Sequence, residues 1–98
     1  MSDVVLINPF EVEAGAEEAA IAYWERAAAH MRAQPGFVST ALHRAIGPGA
    51  RFPLVNLATW RSPAAFAAAV ASPAFRALTQ GEAARFPHHP GLYTLIRT

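Results

Sequence analysis

LVNLATW, residues 54 to 60, reads as a β-strand of apolar residues with an amide at its centre and an indole at its end. Side chains alternate along a strand, so Leu54, Asn56, Ala58 and Trp60 share one face and Val55 and Leu57 the other. VVLINPF, residues 4 to 10, divides the same way, into Val4, Leu6, Asn8 and Phe10 against Val5 and Ile7. Both faces of both strands are therefore apolar. Helices can cover only one face of a sheet in a small two-layer domain, and a bare aliphatic face invites aggregation. The second face is expected to bury against a second copy of the chain in a two-fold dimer.

Outward from this strand, the chain divides cleanly. Residues 4 to 10 form the first strand, with Pro9 expected to put its end at a sheet edge or bulge. From Ala14 to Ala33 the period changes: Ile21, Trp24, Ala28 and Met31 fall on one helical face, Glu17 and Glu18 lie in the first turns where the helix dipole favours anions, and Gln34-Pro35-Gly36 stops the helix. Phe37 to Ile46 and Phe52 to Trp60 read as two strands joined through Gly47-Pro48-Gly49 and paired antiparallel. Ser62-Pro63 and Ser72-Pro73 each combine a capping hydroxyl with a proline at the first helical position. They predict two short helices, one to Ala71 and one to about Arg85, with Gly81 weakening the second. Phe86-Pro-His-His-Pro is a loop, and Leu92 to Arg97 the last strand. The order β-α-β-β-α-β, with its second crossover broken in two, is the ferredoxin-like α+β arrangement: one domain over residues 1–98, a four-stranded antiparallel sheet with helices on one face.

Composition narrows the function. The 98 residues, 53% hydrophobic and 15% charged, suit one domain that gains from a partner subunit. With no cysteine, disulfides and thiolate metal sites are excluded. No apolar run reaches membrane-spanning length, and Met1-Ser2-Asp3 leads straight into a strand, so the expected location is the cytoplasm and no membrane partner is expected. All eight basic residues are arginines, scattered rather than clustered, while six of the seven acids lie in residues 1 to 25. That pattern carries no nucleic-acid footprint.

An amide is unusual in a strand, and burying it without partners costs about 1–3 kcal/mol. Two explanations for Asn56 stand at this point. It bonds a backbone carbonyl, with Trp60 simply core, or it is the polar point of an apolar pocket. Small helix residues, Ala19, Ala20, Ala27 to Ala29, Ala64, Ala65 and Ala67 to Ala69, would leave room for such a pocket beneath the helices, although alanine also simply favours helix. His30, near a helix end, and His43, in a strand, read as structural. His88-His89 lacks a third ligand at metal-binding spacing, so no metal is expected. There is no nucleophile elbow, paired-carboxylate site or phosphate-binding glycine loop.

Pro35-Gly36-Phe37, the Trp60-x-Ser62-x-x-x-Phe66 stretch and its echo at Ser72-Pro73-x-Phe75 resemble the antibiotic biosynthesis monooxygenase (ABM) family of dimeric α+β-barrel proteins, and the likeness runs over nearly the whole chain. Two branches offer residue matches. Cofactor-independent monooxygenases of polyketide anthrones resemble this chain at Asn56 and Trp60, and at the helix arginine Arg76; the tyrosine they carry six residues after the tryptophan is Phe66 here. The haem-degrading branch matches at Asn8 and Trp60, but its iron-binding histidine falls near Thr79, which cannot ligate iron.

The resemblance implies a homodimer that needs no cofactor and oxidises a small aromatic, quinol or anthrone with O2. In that reading Asn56 donates to the substrate oxygen, Trp60 orients the ring, and Arg76 faces the developing anion. Asn8, Trp24 and Phe66 contact the substrate. The alternative is a relative that binds or isomerises a small hydrophobic ligand in the same place.

Overall fold

The computed structural model describes residues 3–81 and 85–98. β1 (Val4–Phe10), α1 (Glu17–Arg32), β2 (Phe37–Arg44), β3 (Leu54–Trp60), α2 (Pro63–Ala71), α3 (Pro73–Thr79) and β4 (Gly91–Tyr93) follow one another. The four strands form one antiparallel sheet in the order β2-β3-β1-β4. This is the ferredoxin-like α+β arrangement read from the sequence, a thin body of 41 × 37 × 16 Å with helices on one face of the sheet.

The strand parity holds. Leu6, Phe10, Leu54, Asn56, Ala58 and Trp60 are buried toward the helices, whereas Ile7, Val38 and Leu57 are exposed on the opposite face. Both Ser-Pro signals also hold: Ser62 and Ser72 are N-caps whose hydroxyls accept from Ala65 N at 3.1 Å and Phe75 N at 3.2 Å. His30 has a structural place, its Nε2 3.2 Å from Ser72 Oγ and its ring 5.4 Å from Phe75, so that it ties α1 to the cap of α3.

The element ends depart from expectation where backbone geometry intervenes. Gly15, at φ +85°, makes a turn, so α1 starts at Glu17 rather than Ala14. The connection between β2 and β3 is wider than its glycines suggest, closing with Ala45 N to Pro53 O at 2.9 Å, so β2 ends at Arg44 and β3 begins at Leu54. α3 stops at Thr79, ahead of Gly81 at φ +83°; the continuation expected over 82–84 lies outside the described residues. β4 runs over only Gly91–Tyr93 instead of Leu92 to Arg97. Tyr93 already stands opposite Val5, so Leu95 and Ile96 run past the start of β1, and among the described residues no strand pairs with them.

Pro9 lies in an interior strand rather than at an edge. It sits beyond the last β4 pair, Ile7↔Gly91, where its carbonyl accepts from His89 N at 3.1 Å and no ladder donor is required of it. A further irregularity shapes the site. The register of β2 against β3 shifts between Phe37 and Ser39, a β-bulge at Val38. Simple alternation from Phe37 would place Ser39, Ala41 and His43 beside it. The bulge instead turns Thr40 and Leu42 to the helix face, with Thr40 opposite Ala58 and Leu42 opposite Asn56.

Gly36 locks the entry to β2. Its φ is +84°, its carbonyl accepts from Arg61 N at 2.8 Å, and an added Cβ would lie 2.5 Å from Ala65 Cβ. Gly36→Ala is expected to lower unfolding free energy by at least about 2 kcal/mol, read from the urea midpoint, because strained backbone and overlap act together.

Candidate functional site

The core of the subunit is split. Phe10, Ala20, Tyr23, Leu54 and Phe86 form one buried cluster; Leu6, Ala58, Trp60 and Ala69 form another. Between them, directly opposite each other across β1 and β3, stand Asn8 and Asn56. The amide pair thus divides the apolar face into two, and above it lies a cavity of about 290 Å³.

Asn8 and Asn56 enter this cavity from the sheet floor with Thr40 and Trp60. α1 contributes Tyr23, Trp24, Ala27, Ala28 and Met31; Phe66 and Val70 come from α2, Phe75 from α3, and His88 from the loop before β4. Asn56 is only 7% exposed, and Thr40 Oγ1 donates to its Oδ1 at 2.6 Å. The oxygen is therefore satisfied, and the remaining capacity of the amide is its N–H donors. Trp60 is fixed edge-on between Phe37, at 5.4 Å and 88°, and Phe66, at 5.7 Å and 72°. Each such contact contributes about 0.5–1.5 kcal/mol beyond burial, which holds the indole in one orientation. Two polar atoms here are buried without a hydrogen-bond partner, Asn8 Oδ1 and Trp60 Nε1. Leaving such groups unpaired costs about 1–3 kcal/mol each, a pattern a packed core avoids and a ligand site tolerates.

Five of the six site residues expected from sequence, Asn8, Trp24, Asn56, Trp60 and Phe66, are brought to one cavity. Arg76 is not. Phe75 lines the cavity, and Arg76, one step round the helix, is exposed to solvent. The face of α1 is also offset: Ala20, Tyr23 and Ala28 are its buried residues, while Ile21 packs at the margin of the first cluster. Of the small residues thought to make room, Ala27 and Ala28 line the hollow, and Ala64, Ala67 and Ala68 are exposed instead. Thr79 spends its hydroxyl on Phe75 O at 3.1 Å. No group of three His, Cys, Asp or Glu residues suited to a metal occurs among the described residues.

Sequence reading missed Thr40, Tyr23 and His88. A threonine in a strand is unremarkable, and only the bulge brings it to Asn56. Tyr23 stands beside the more apolar Trp24 and Ile21, which dominate any periodicity argument. The proline-flanked His88 was the one member with a local signal.

Replacing Thr40 by valine should cost about 1–3 kcal/mol in urea unfolding, since it strips Asn56 Oδ1 of its donor. The double variant Thr40→Val/Asn56→Leu should recover most of that loss, showing that the polar pair is not there for stability.

The comparisons with known proteins agree with this geometry. No curated protein matches the sequence significantly. Among solved structures, a presumed monooxygenase from Shewanella loihica PV-4 is 45% identical with a TM-score of 0.85, covering 99% of this chain and 97% of that one. SnoaB, a cofactor-independent oxygenase from Streptomyces nogalater, is 32% identical with a TM-score of 0.84, covering 100% and 97%. Rv0793 from Mycobacterium tuberculosis, 20% identical with a TM-score of 0.79 and coverage of 99% and 98%, shares the fold. The family model for antibiotic biosynthesis monooxygenase matches residues 3–80, and the chain belongs to that family.

Proposed function

We propose that the protein is a cofactor-independent monooxygenase that oxidises a small aromatic, quinol or anthrone-like compound with O2 in the cavity above Asn8 and Asn56. The observation that carries this reading is an apolar hollow whose floor offers amide donors from Asn56 while Trp60 Nε1 and Asn8 Oδ1 lack partners. Similarity to SnoaB, itself a cofactor-independent oxygenase, supports it. A volume of about 290 Å³ sits at the small end of ligand sites, which run to about 1,000 Å³, and suits a few fused rings.

The chemistry asks little of the protein. Converting an anthrone methylene to a carbonyl with O2 releases one oxygen atom as water, and the substrate supplies all four electrons, so no external reductant is consumed. What the site must do is stabilise the deprotonated substrate, orient its ring and exclude water. Asn56 donates to the substrate oxygen as negative charge grows there, Trp60 and the Phe66 ring packed against it form one wall that orients the ring, and Trp24 and Asn8 bound the hollow. Arg76 has no part in this arrangement, being exposed on α3.

Oxygen uptake on adding anthrones and hydroquinones in air, with no cofactor supplied, is the expected result. Asn56→Leu should lower it by about 10²–10³-fold, the usual loss when one oxyanion donor is removed. Thermal stabilisation by the same compounds without oxygen uptake would instead mark a binding protein.

The same reading includes a homodimer. Ile7, Val38 and Leu57 on the open face, with Tyr93 at the end of β4 and Leu95 and Ile96 beyond it, form an apolar surface that a second copy would bury. Light scattering after size exclusion should give twice the 10.5 kDa chain mass, and Leu57→Glu should shift it to one; a wild-type monomer at micromolar concentration removes the dimer.

A further inference from the structure

Removing a proton from the substrate requires a base, and the cavity wall is nearly devoid of titratable groups. Neither carboxylates nor lysines or arginines line it; Tyr23 and His88 are its ionisable side chains among the described residues. A phenol offers an O–H donor, whereas an imidazole with one N–H keeps a basic lone pair on its other nitrogen.

His88 is positioned for the task. Its loop is pinned to the end of β1 by Glu11 N to Pro87 O at 2.8 Å, by His89 N to Pro9 O at 3.1 Å and by the hydrogen bond between His89 Nε2 and Glu11 Oε2 at 2.7 Å. Phe86 before it is 1% exposed, and prolines stand at 87 and 90. The His88 ring rests on Phe10 with centroids 5.3 Å apart, and Phe10, its bridge partner, is two residues along β1 from Asn8 on the same face. Its Nδ1 lies 3.1 Å from the carbonyl oxygen of Phe86. A carbonyl can only accept, so Nδ1 carries the hydrogen of the neutral ring and Nε2 carries the lone pair. No other hydrogen bond of His88 is made among the described residues, so that lone pair is uncommitted.

We propose that His88 Nε2 is the proton acceptor of this site, a conclusion that rests on the oxygenase reading for its chemical context. The acidic C–H or O–H bond of the substrate breaks, its electron pair stays on the substrate as enolate or phenolate, and a new N–H bond forms on Nε2. The resulting imidazolium remains anchored by Nδ1–H to Phe86. After O2 has added to the anion at carbon, the second hydrogen of that carbon passes to the outer peroxide oxygen as the O–O bond breaks and the C=O bond forms, and the departing hydroxide takes the proton from Nε2 as water, leaving the ring neutral again. The Phe86 carbonyl thus selects the tautomer, and the pinned loop sets its position.

Proton removal and oxygen chemistry can be separated by excluding air. Under anaerobic conditions, wild-type protein mixed with dithranol, a dihydroxyanthrone, should generate the visible absorbance of the anthrone anion. His88→Gln, whose amide can still donate to Phe86 O, should quench Trp fluorescence on binding as wild type does yet form no anion. In air its kcat should fall about 10²–10⁴-fold with KM changed only a few-fold. His88→Ala should recover activity with added imidazole, and both variants should melt near wild type. Anion formation by wild type without oxygen uptake sinks the oxygenase reading and leaves the base in place. Equal rates and equal anion formation in His88→Gln overturn the assignment of the base alone. Absence of the anion in wild type, whether or not dithranol binds, also overturns it.

Discussion

Leu6, Asn8 and Phe10 of β1 and Leu54, Asn56, Ala58 and Trp60 of β3 turn one face of the sheet toward the helices, and the subunit is organised by how that face is covered. One sixteen-residue helix and two short ones do the covering. At the ends of the strands the cover is complete, with Phe86 and Trp60 1% exposed. In the middle, where Ala27 and Ala28 face the amides, the side chains are too short to close the gap. A core in which large residues opposed the amides would have left them against hydrocarbon, at about 1–3 kcal/mol for each unpaired group.

The polar groups in that hollow form a graded set. Asn56 is tied through its oxygen to Thr40, which orients the amide, and Trp60 is held between two aromatic rings. On the far side, the loop that ends at Pro90 is bound to β1 by backbone hydrogen bonds and by the Glu11–His89 pair. That pair is about half exposed, so it contributes little on its own and acts with the backbone bonds to keep the loop in register. The exposed Arg44–Glu17 pair plays a similar minor part between β2 and α1. The cavity is therefore framed by strands and by a loop anchored to β1, elements that hold side-chain geometry more closely than free loops do.

Much of the fold was legible because its signals are local. A strand's period of two, a capping serine before a proline and a glycine at positive φ each act within a few residues. The helix starts at Pro63 and Pro73 and the parity of β1 and β3 followed from them. The ends went astray where the deciding partner was remote. β4 ends near the start of β1, with Tyr93 opposite Val5, and α1 starts late because Gly15 turns the chain. Among site residues, Asn8, Asn56 and Trp60 stood out since an amide in an apolar strand calls for a reason. Arg76 did not reach the cavity because a helix turns successive side chains by about 100°, and Phe75 holds the inward position.

By itself the sequence determined the order of elements, the two apolar faces of the sheet and the presence of two amides and an indole on one of them, since helical period, caps, turn residues and strand alternation all act within a few residues. Only the tertiary structure decided that Asn8 and Asn56 stand opposite each other, that a bulge at Val38 delivers Thr40 to the Asn56 oxygen, and that Tyr23 and His88 line the same space. Register between strands, and the docking of a loop onto a strand end, are set by contacts between residues dozens of positions apart. No local period encodes those contacts, which is why the shape and the polar lining of the hollow emerge only when the chain is folded.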